Sequence, residues 1–125
     1  MNKANIQIGD RKFELEINYD CFEGEEVLPM QEEAVKKICA GNSISIMVLD
    51  ELKQYCINKN ADKFNRESIP DIFRFVTPIS LYVKRNKEKR MVAVMCDYAF
   101  DMEHGLALMF ENEEFKGIRT QAAIL

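Results

Sequence analysis

Four side chains between residues 97 and 104 carry the most concentrated chemistry in the chain. Asp97, Asp101, Glu103 and His104 fall in the pattern D-x-x-x-D-x-E-H, followed by Gly105. Three carboxylates and an imidazole at that spacing could hold a divalent metal, or divide into an acid and a base for hydrolysis. The same residue types also build turns. An Asp that opens a turn accepts from backbone N–H groups ahead of it, a glycine supplies positive φ, and a histidine in a tight connection bonds a backbone carbonyl. Asp97 fits the turn reading least well, because it interrupts an apolar strand face where an unpaired carboxylate is costly. His104 is the only histidine, and the chain holds no G-x-S-x-G, no Gly-rich phosphate loop and no His pair. This weighs towards a non-catalytic protein with no cofactor, and leaves the turn as the one place where metal-binding or hydrolytic chemistry could sit.

Charge is distributed unevenly. Between Glu14 and Glu33 stand eight acids and no base: Glu14, Glu16, Asp20, Glu23, Glu25, Glu26, Glu32 and Glu33. Acids at a helix start oppose the macrodipole, which accounts for Glu32 and Glu33. The other six, Glu14, Glu16, Asp20, Glu23, Glu25 and Glu26, make a candidate surface for a basic protein partner, set against the plainer reading of a solvated face. Between Lys84 and Arg90 the balance reverses, with five bases and one acid. Such a turn could grip phosphates, but Tyr82 is its one nearby aromatic for stacking and the chain carries a net charge of −4. Charges at a hairpin tip also blunt edge pairing. Nucleic acid is therefore not the expected partner.

The chain of 125 residues, 47% apolar, is long enough for one core and is read as a single domain, 1–125. Its longest apolar runs, such as 91–96, are far short of the roughly 20 residues that span a bilayer. The start MNKANIQIGD has no apolar leader segment, so a cytoplasmic protein without a membrane partner is expected. Cys21, Cys39, Cys56 and Cys96 form no C-x-x-C pair, sit among apolar neighbours and are expected to be reduced and buried. Oligomeric state is left open.

The elements that must position these groups follow from periodicity. Residues 5–19 read as a hairpin turning at Gly9-Asp10, with Phe13, Leu15, Ile17 and Tyr19 alternating against Lys12, Glu14, Glu16 and Asn18. Pro29 opens a helix whose apolar stripe runs through Met30, Ala34, Val35, Ile38 and Cys39 to a stop at Gly41-Asn42. A second helix, capped by Ser43 or Ser45, carries Val48, Leu49, Leu52, Tyr55 and Cys56 on one face. A short helix is expected from Ser68 to Phe75. Strands then follow at 79–85, 90–100, 106–110 and 115–119, and the AAIL terminus should dock. The 90–100 strand is apolar on both faces and must be central. The expected fold is α+β: a mainly antiparallel sheet of five to six strands in the order β-β-α-α-β-β-β-β, with the helices on one face.

The segment DYAFDMEHGLALMFENEEFKGIRTQ resembles a group of uncharacterised bacterial domains that carry D-x-x-(W/aromatic)-D-x-E-H-G-(L/I)-A-x-x-F-x-N/D-G and a later hydrophobic-G-x-Q. Asp97, Asp101, Glu103, His104, Gly105, Leu106, Ala107, Phe110, Asn112 and Gln121 match, over roughly 79–121. Phe100 takes a position where the group often has Trp. Glu113 replaces the turn glycine, and Arg119 stands near the later glycine position, so the last hairpin is expected to differ. The resemblance implies a small α+β domain without established catalysis, some of whose relatives look like immunity proteins that neutralise a toxin by binding it. Such a role fits an acidic single-domain protein, because many toxin enzymes acting on nucleic acid are basic.

Overall fold

A computed structural model describes residues 3–41, 44–64, 69 and 71–124. The alternating N-terminal stretch forms β1 (Lys3–Ile8) and β2 (Arg11–Tyr19), paired antiparallel across a two-residue loop. Two helices follow, α1 (Pro29–Ala40) and α2 (Ile46–Lys59), and then a 3-10 helix, Ile72–Arg74. The C-terminal half is a meander of β3 (Val76–Val83), β4 (Met91–Tyr98), β5 (Leu106–Glu111) and β6 (Glu114–Arg119), ending in α3 (Gln121–Ile124). The six strands lie in chain order in one sheet.

Four of the five strand pairings are antiparallel, as the short turns require. The exception is β2 against β3, which run parallel with Glu16 beside Ser80 and Tyr19 beside Val83. Parallel neighbours need a long crossover, and α1 and α2 supply it. The consequence is that the chain leaving β2 and the chain leaving β3 emerge at the same end of the sheet.

One face of the sheet carries the main core. Ile6, Ile8, Leu15, Leu81, Val83, Val94, Cys96, Tyr98, Leu108 and Phe110 are buried there against Ala34 and Ile38 of α1 and Leu52 and Cys56 of α2. Each fully buried aliphatic side chain contributes roughly 1.5–3 kcal/mol. The opposite face is apolar only in the middle, where Ala93, Met95 and Ala107 form a second cluster. Ile124 of α3 closes it, 1% exposed. The helices therefore do not all lie on one face, which corrects the expectation of helices packed on one side only. The two apolar faces of β4 each need a cover, and the C-terminal AAIL segment provides the second one.

The strand boundaries also shift. β3 begins at Val76 rather than Ile79 and ends at Val83. Pro78 is accommodated inside it because β2 pairs only from Ser80 onward, so the missing N–H falls where β3 has β4 as its one neighbour, beside an irregularity at Pro78/Ser80. The expected helix at 68–75 is present as the 3-10 turn, its Asp71 side chain accepting from Phe73 N–H at 3.1 Å. Ser68 and Pro70, at its expected start, lie outside the described residues, as do Asn42, Ser43 and Leu125. Cys56 and Cys96 are buried as expected, but Cys21 and Cys39 are only half-buried; all four are free thiols. No helix among the described residues is long and apolar enough to cross a membrane.

Candidate functional site

The parallel β2–β3 pairing brings the two charged stretches of the sequence together. Beyond Tyr19 the chain runs through the acidic loop 20–28 to Pro29, and beyond Val83 it runs into the basic turn. Arg85 links them. Its Nη1 donates to the Glu26 carbonyl at 2.9 Å and lies 3.4 Å from Cys21 Sγ, while Nη2 stands 3.3 Å from Glu25 Oε2. The Arg85 backbone N–H reaches Asp20 Oδ2 at 3.4 Å, and Asp20 N–H donates to the Val83 carbonyl at 2.9 Å. One guanidinium thus holds a backbone carbonyl and a carboxylate of the same loop, with the planar fork that suits arginine to such a role.

The loop is also tied to itself. Phe22 N–H donates to Glu25 Oε1 at 3.0 Å, and Glu25 N–H returns a bond to the Phe22 carbonyl at 3.0 Å. At its base sits Gln31, 1% exposed and missed by the sequence reading. Its Oε1 accepts from Leu28 N–H at 2.8 Å, and its Nε2 donates to the carbonyls of Asp20 at 3.1 Å and Val83 at 3.2 Å. A buried amide is stable only with its bonds made, and this one joins β2, β3 and α1. A signal for it existed: a Gln at the third position of a helix is the usual partner of the N-cap backbone N–H.

On this clamped loop the side chain of Phe22 is 78% exposed. Around it the predicted acids divide into two groups. Asp20 and Glu25 contact Arg85, and Glu14, one strand inward on the wet face of β2, pairs with Lys3 at 3.4 Å. Glu16, Glu23 and Glu26 are exposed and make no ion pair among the described residues. The surface is therefore less negative than eight unpaired acids would make it, and its free carboxylates are fewer.

The 97–105 turn is built differently. Asp101 Oδ1 accepts from His104 N–H at 3.3 Å and lies 2.8 Å from His104 Nδ1, while its other oxygen is 3.6 Å from Lys59 Nζ at the end of α2. The His104 hydrogen bond holds the Asp101 carboxyl below the usual carboxylate range, with help from its backbone N–H and the charge of Lys59. Asp97 stays half-buried on β4, opposite Thr77, and Glu103 is exposed. The fold brings Asp101 and His104 together and leaves Asp97 and Glu103 out of that contact. Among the described residues no three His, Cys, Asp or Glu side chains are grouped as a metal ion would need. What the turn does show is a lock on the C-terminus. Gln121 N–H donates to the His104 carbonyl at 3.2 Å, and Gln121 Nε2 to the Cys96 carbonyl at 2.8 Å. Gly105, at φ +62, lies beneath that amide; a Cβ there would stand 2.8 Å from the Cys96 carbonyl and against Gln121 Nε2.

A family model described as a domain of unknown function (DUF6985) matches residues 2–125, and the chain belongs to that family. No curated protein matches the chain, and no solved structure does.

Proposed function

We propose that this member of the DUF6985 family works by binding a basic protein without catalysis, through the loop 20–28. The observation that carries the reading is Phe22, 78% exposed on a loop fixed from both sides by Arg85 and Gln31. An exposed phenylalanine forgoes roughly 1.5–3 kcal/mol of burial, which a partner's pocket would recover. Binding hot spots are typically aromatic anchors of this kind, and a loop already ordered loses little entropy on docking. Glu16, Glu23 and Glu26 add unpaired negative charge nearby, which suits steering towards a basic surface and selection of it. Toxin neutralisation is the specific form this reading takes, with a basic bacterial toxin enzyme as the partner and the cytoplasm as the place of encounter. Its support is the resemblance of the 79–121 segment together with the acidic loop.

The test compares three baits in lysate capture at low and high salt: the wild-type chain, Phe22→Ala, and Glu23→Lys with Glu26→Lys. One basic protein should be held by the wild type at low salt and released at high salt. Phe22→Ala should weaken its capture at least tenfold, and charge reversal should abolish it. An empty wild-type bait, or equal capture by all three, would refute the reading.

A further inference from the structure

The sheet has two edges, and they are protected very differently. β6 carries Glu114, Lys116 and Arg119, a bulge at Lys116 opposite Met109 and Phe110 of β5, and Gly117 at φ +134. Charges and bulges of this kind keep an edge from pairing. β1 has neither a bulge nor a proline, and from Ala4 to Ile8 it has no charge. Ile8 and Arg11 flank a two-residue loop, and such a flanking pair is hydrogen-bonded. Ala4, Ile6 and Ile8 therefore turn their backbone groups towards β2, and Lys3, Asn5 and Gln7 turn theirs outward. Gly9, next in the outward series, already donates to the Ile44 carbonyl at 2.9 Å. Among the described residues the outward backbone groups of Lys3, Asn5 and Gln7 have no partner.

The two ends of this edge are complementary to each other. At the Gln7 end, Ile46 and Met47 project from the first turn of α2, 66% and 77% exposed. At the Lys3 end an open groove of about 500 Å³ runs between β2 and α1, with Ile17, Tyr19, Val27 and Val35 in its wall and Lys3, Lys36 and Glu32 at its rim. A two-fold axis that pairs β1 with itself exchanges the ends, so the apolar pair of each copy arrives at the groove of the other. Asp10, Asp50, Arg11 and Lys53 line the opening beside Ile46, which sets acids to meet Lys3 and Lys36 and bases to meet Glu32.

From this we infer that β1 is the interface of a symmetric dimer, formed by antiparallel pairing with a second copy of this chain about Asn5. That register sets Lys3 opposite Gln7 of the second copy and Asn5 opposite its counterpart. It joins each outward N–H to an outward C=O, about six backbone hydrogen bonds in all. Parity of the pleat keeps Ala4 and Ile6 on the core side of both sheets. The strand contact alone is small, and seating Ile46 and Met47 in two grooves supplies the apolar area a stable dimer requires. Val27 at the end of the acidic loop lines the groove, whereas Phe22, Glu23 and Glu26 do not, so the inference does not depend on the proposed partner binding.

Sedimentation of the full chain across a concentration series tests it, with two variants that leave one copy's own ladder intact. Asn5→Pro removes an N–H that has no partner among the described residues, a site where an edge strand tolerates proline. Met47→Lys charges a side chain that is already exposed. The wild type should sediment as a dimer, and each variant should raise the dissociation constant at least tenfold with an unchanged far-ultraviolet spectrum. In Asn5→Cys, opposed Cα atoms about 5.5 Å apart should give a disulfide dimer on oxidation. A wild type that stays monomeric up to roughly 200 μM, weaker than any specific interface needs, would overturn the inference. So would variants that dimerise as well as the wild type, or an Asn5→Cys chain that does not cross-link.

Discussion

Arg90 grips Glu113 with two parallel bonds, Nε to Oε2 at 2.7 Å and Nη2 to Oε1 at 2.9 Å, across the hairpin between β5 and β6. Both loop residues are left-handed, Asn112 at φ 48° and Glu113 at φ 68°. A two-residue hairpin demands that conformation, and glycine at the second position ordinarily supplies it. Here a glutamate takes the strain, and the hairpin still forms. Asn112 helps from the other position, accepting from Arg90 N–H at 3.0 Å and donating its own N–H to the Arg90 carbonyl at 2.7 Å.

The strain and the clamp can be separated by substitution. Glu113→Ala keeps a left-handed β-carbon, which costs roughly 1–2 kcal/mol, and loses the ion pair as well. Glu113→Gly loses the pair and relieves the strain. Carboxylate and guanidinium are 22% and 26% exposed and meet in a bidentate geometry, so the pair contributes to the hairpin where a single exposed contact would not. Glu113→Ala, which loses the pair and keeps the strain, should therefore lower the unfolding midpoint, and Glu113→Gly, which relieves the strain as it loses the pair, should lower it less or not at all. Thermal unfolding of both decides the matter, and the reverse order would show that the hairpin is held by something else.

Acid should act on the Asp101–His104 contact. The folded-state pKa of Asp101 is depressed, so its contribution to stability is complete above the unfolded carboxyl pKa of about 3.9 and is lost as pH falls through the lower folded value. Asp101→Asn should consequently be less stable than the wild type near pH 7, with the gap narrowing as pH falls below the unfolded carboxyl pKa. Urea unfolding of the pair at several pH values measures that gap. A gap of constant size would mean that the carboxylate charge has no part in holding the turn.

The thiols should divide into two classes. Burial pushes Cys56 up to about 11 and Cys96 up to about 12, and only a thiolate alkylates. Cys21 and Cys39 are half-buried and reachable. In the native protein near pH 8, alkylation followed by peptide mass spectrometry should mark Cys21 and Cys39, and reach Cys56 and Cys96 only after denaturant is added. Early labelling of Cys96 would contradict its place in the core beneath α1 and α2.

How far the sequence foretold this depended on the range of the interaction concerned. Alternation in 12–19 and the helical stripes of α1 and α2 are local signals, and the elements formed where they were read. The two-faced apolar pattern of 91–96 correctly required cover on both sides. It did not say that Ile124 would be half of that cover, because a four-residue helix has no periodicity of its own. The parallel β2–β3 contact left no local trace, and with it went the meeting of Arg85 with the acidic loop. Arg85 reads as one base among five, and only the register of Tyr19 with Val83 turns it into a clamp. The D-x-E-H pattern was legible as residues, but its geometry hinges on Gln121, seventeen residues past His104 in sequence (121 − 104) and bonded to its carbonyl.

That last contact gives the sharpest test of what the shared motif is for. Gly105→Ala forces a left-handed alanine and drives its methyl against the Cys96 carbonyl and the Gln121 amide. Gln121→Ala removes the bond to the Cys96 carbonyl, a cost of roughly 1–3 kcal/mol for a part-buried acceptor left unpaired. If the glycine exists to admit the glutamine, the two losses should not add. Once Gly105→Ala has displaced the amide, deleting it costs little more, and a coupling energy of roughly 0.5–3 kcal/mol should appear in the double-mutant cycle. Denaturant unfolding of the four proteins measures it. Strict additivity would separate Gly105 from Gln121 and leave the motif's D-x-E-H residues in need of a role other than locking α3 onto the sheet.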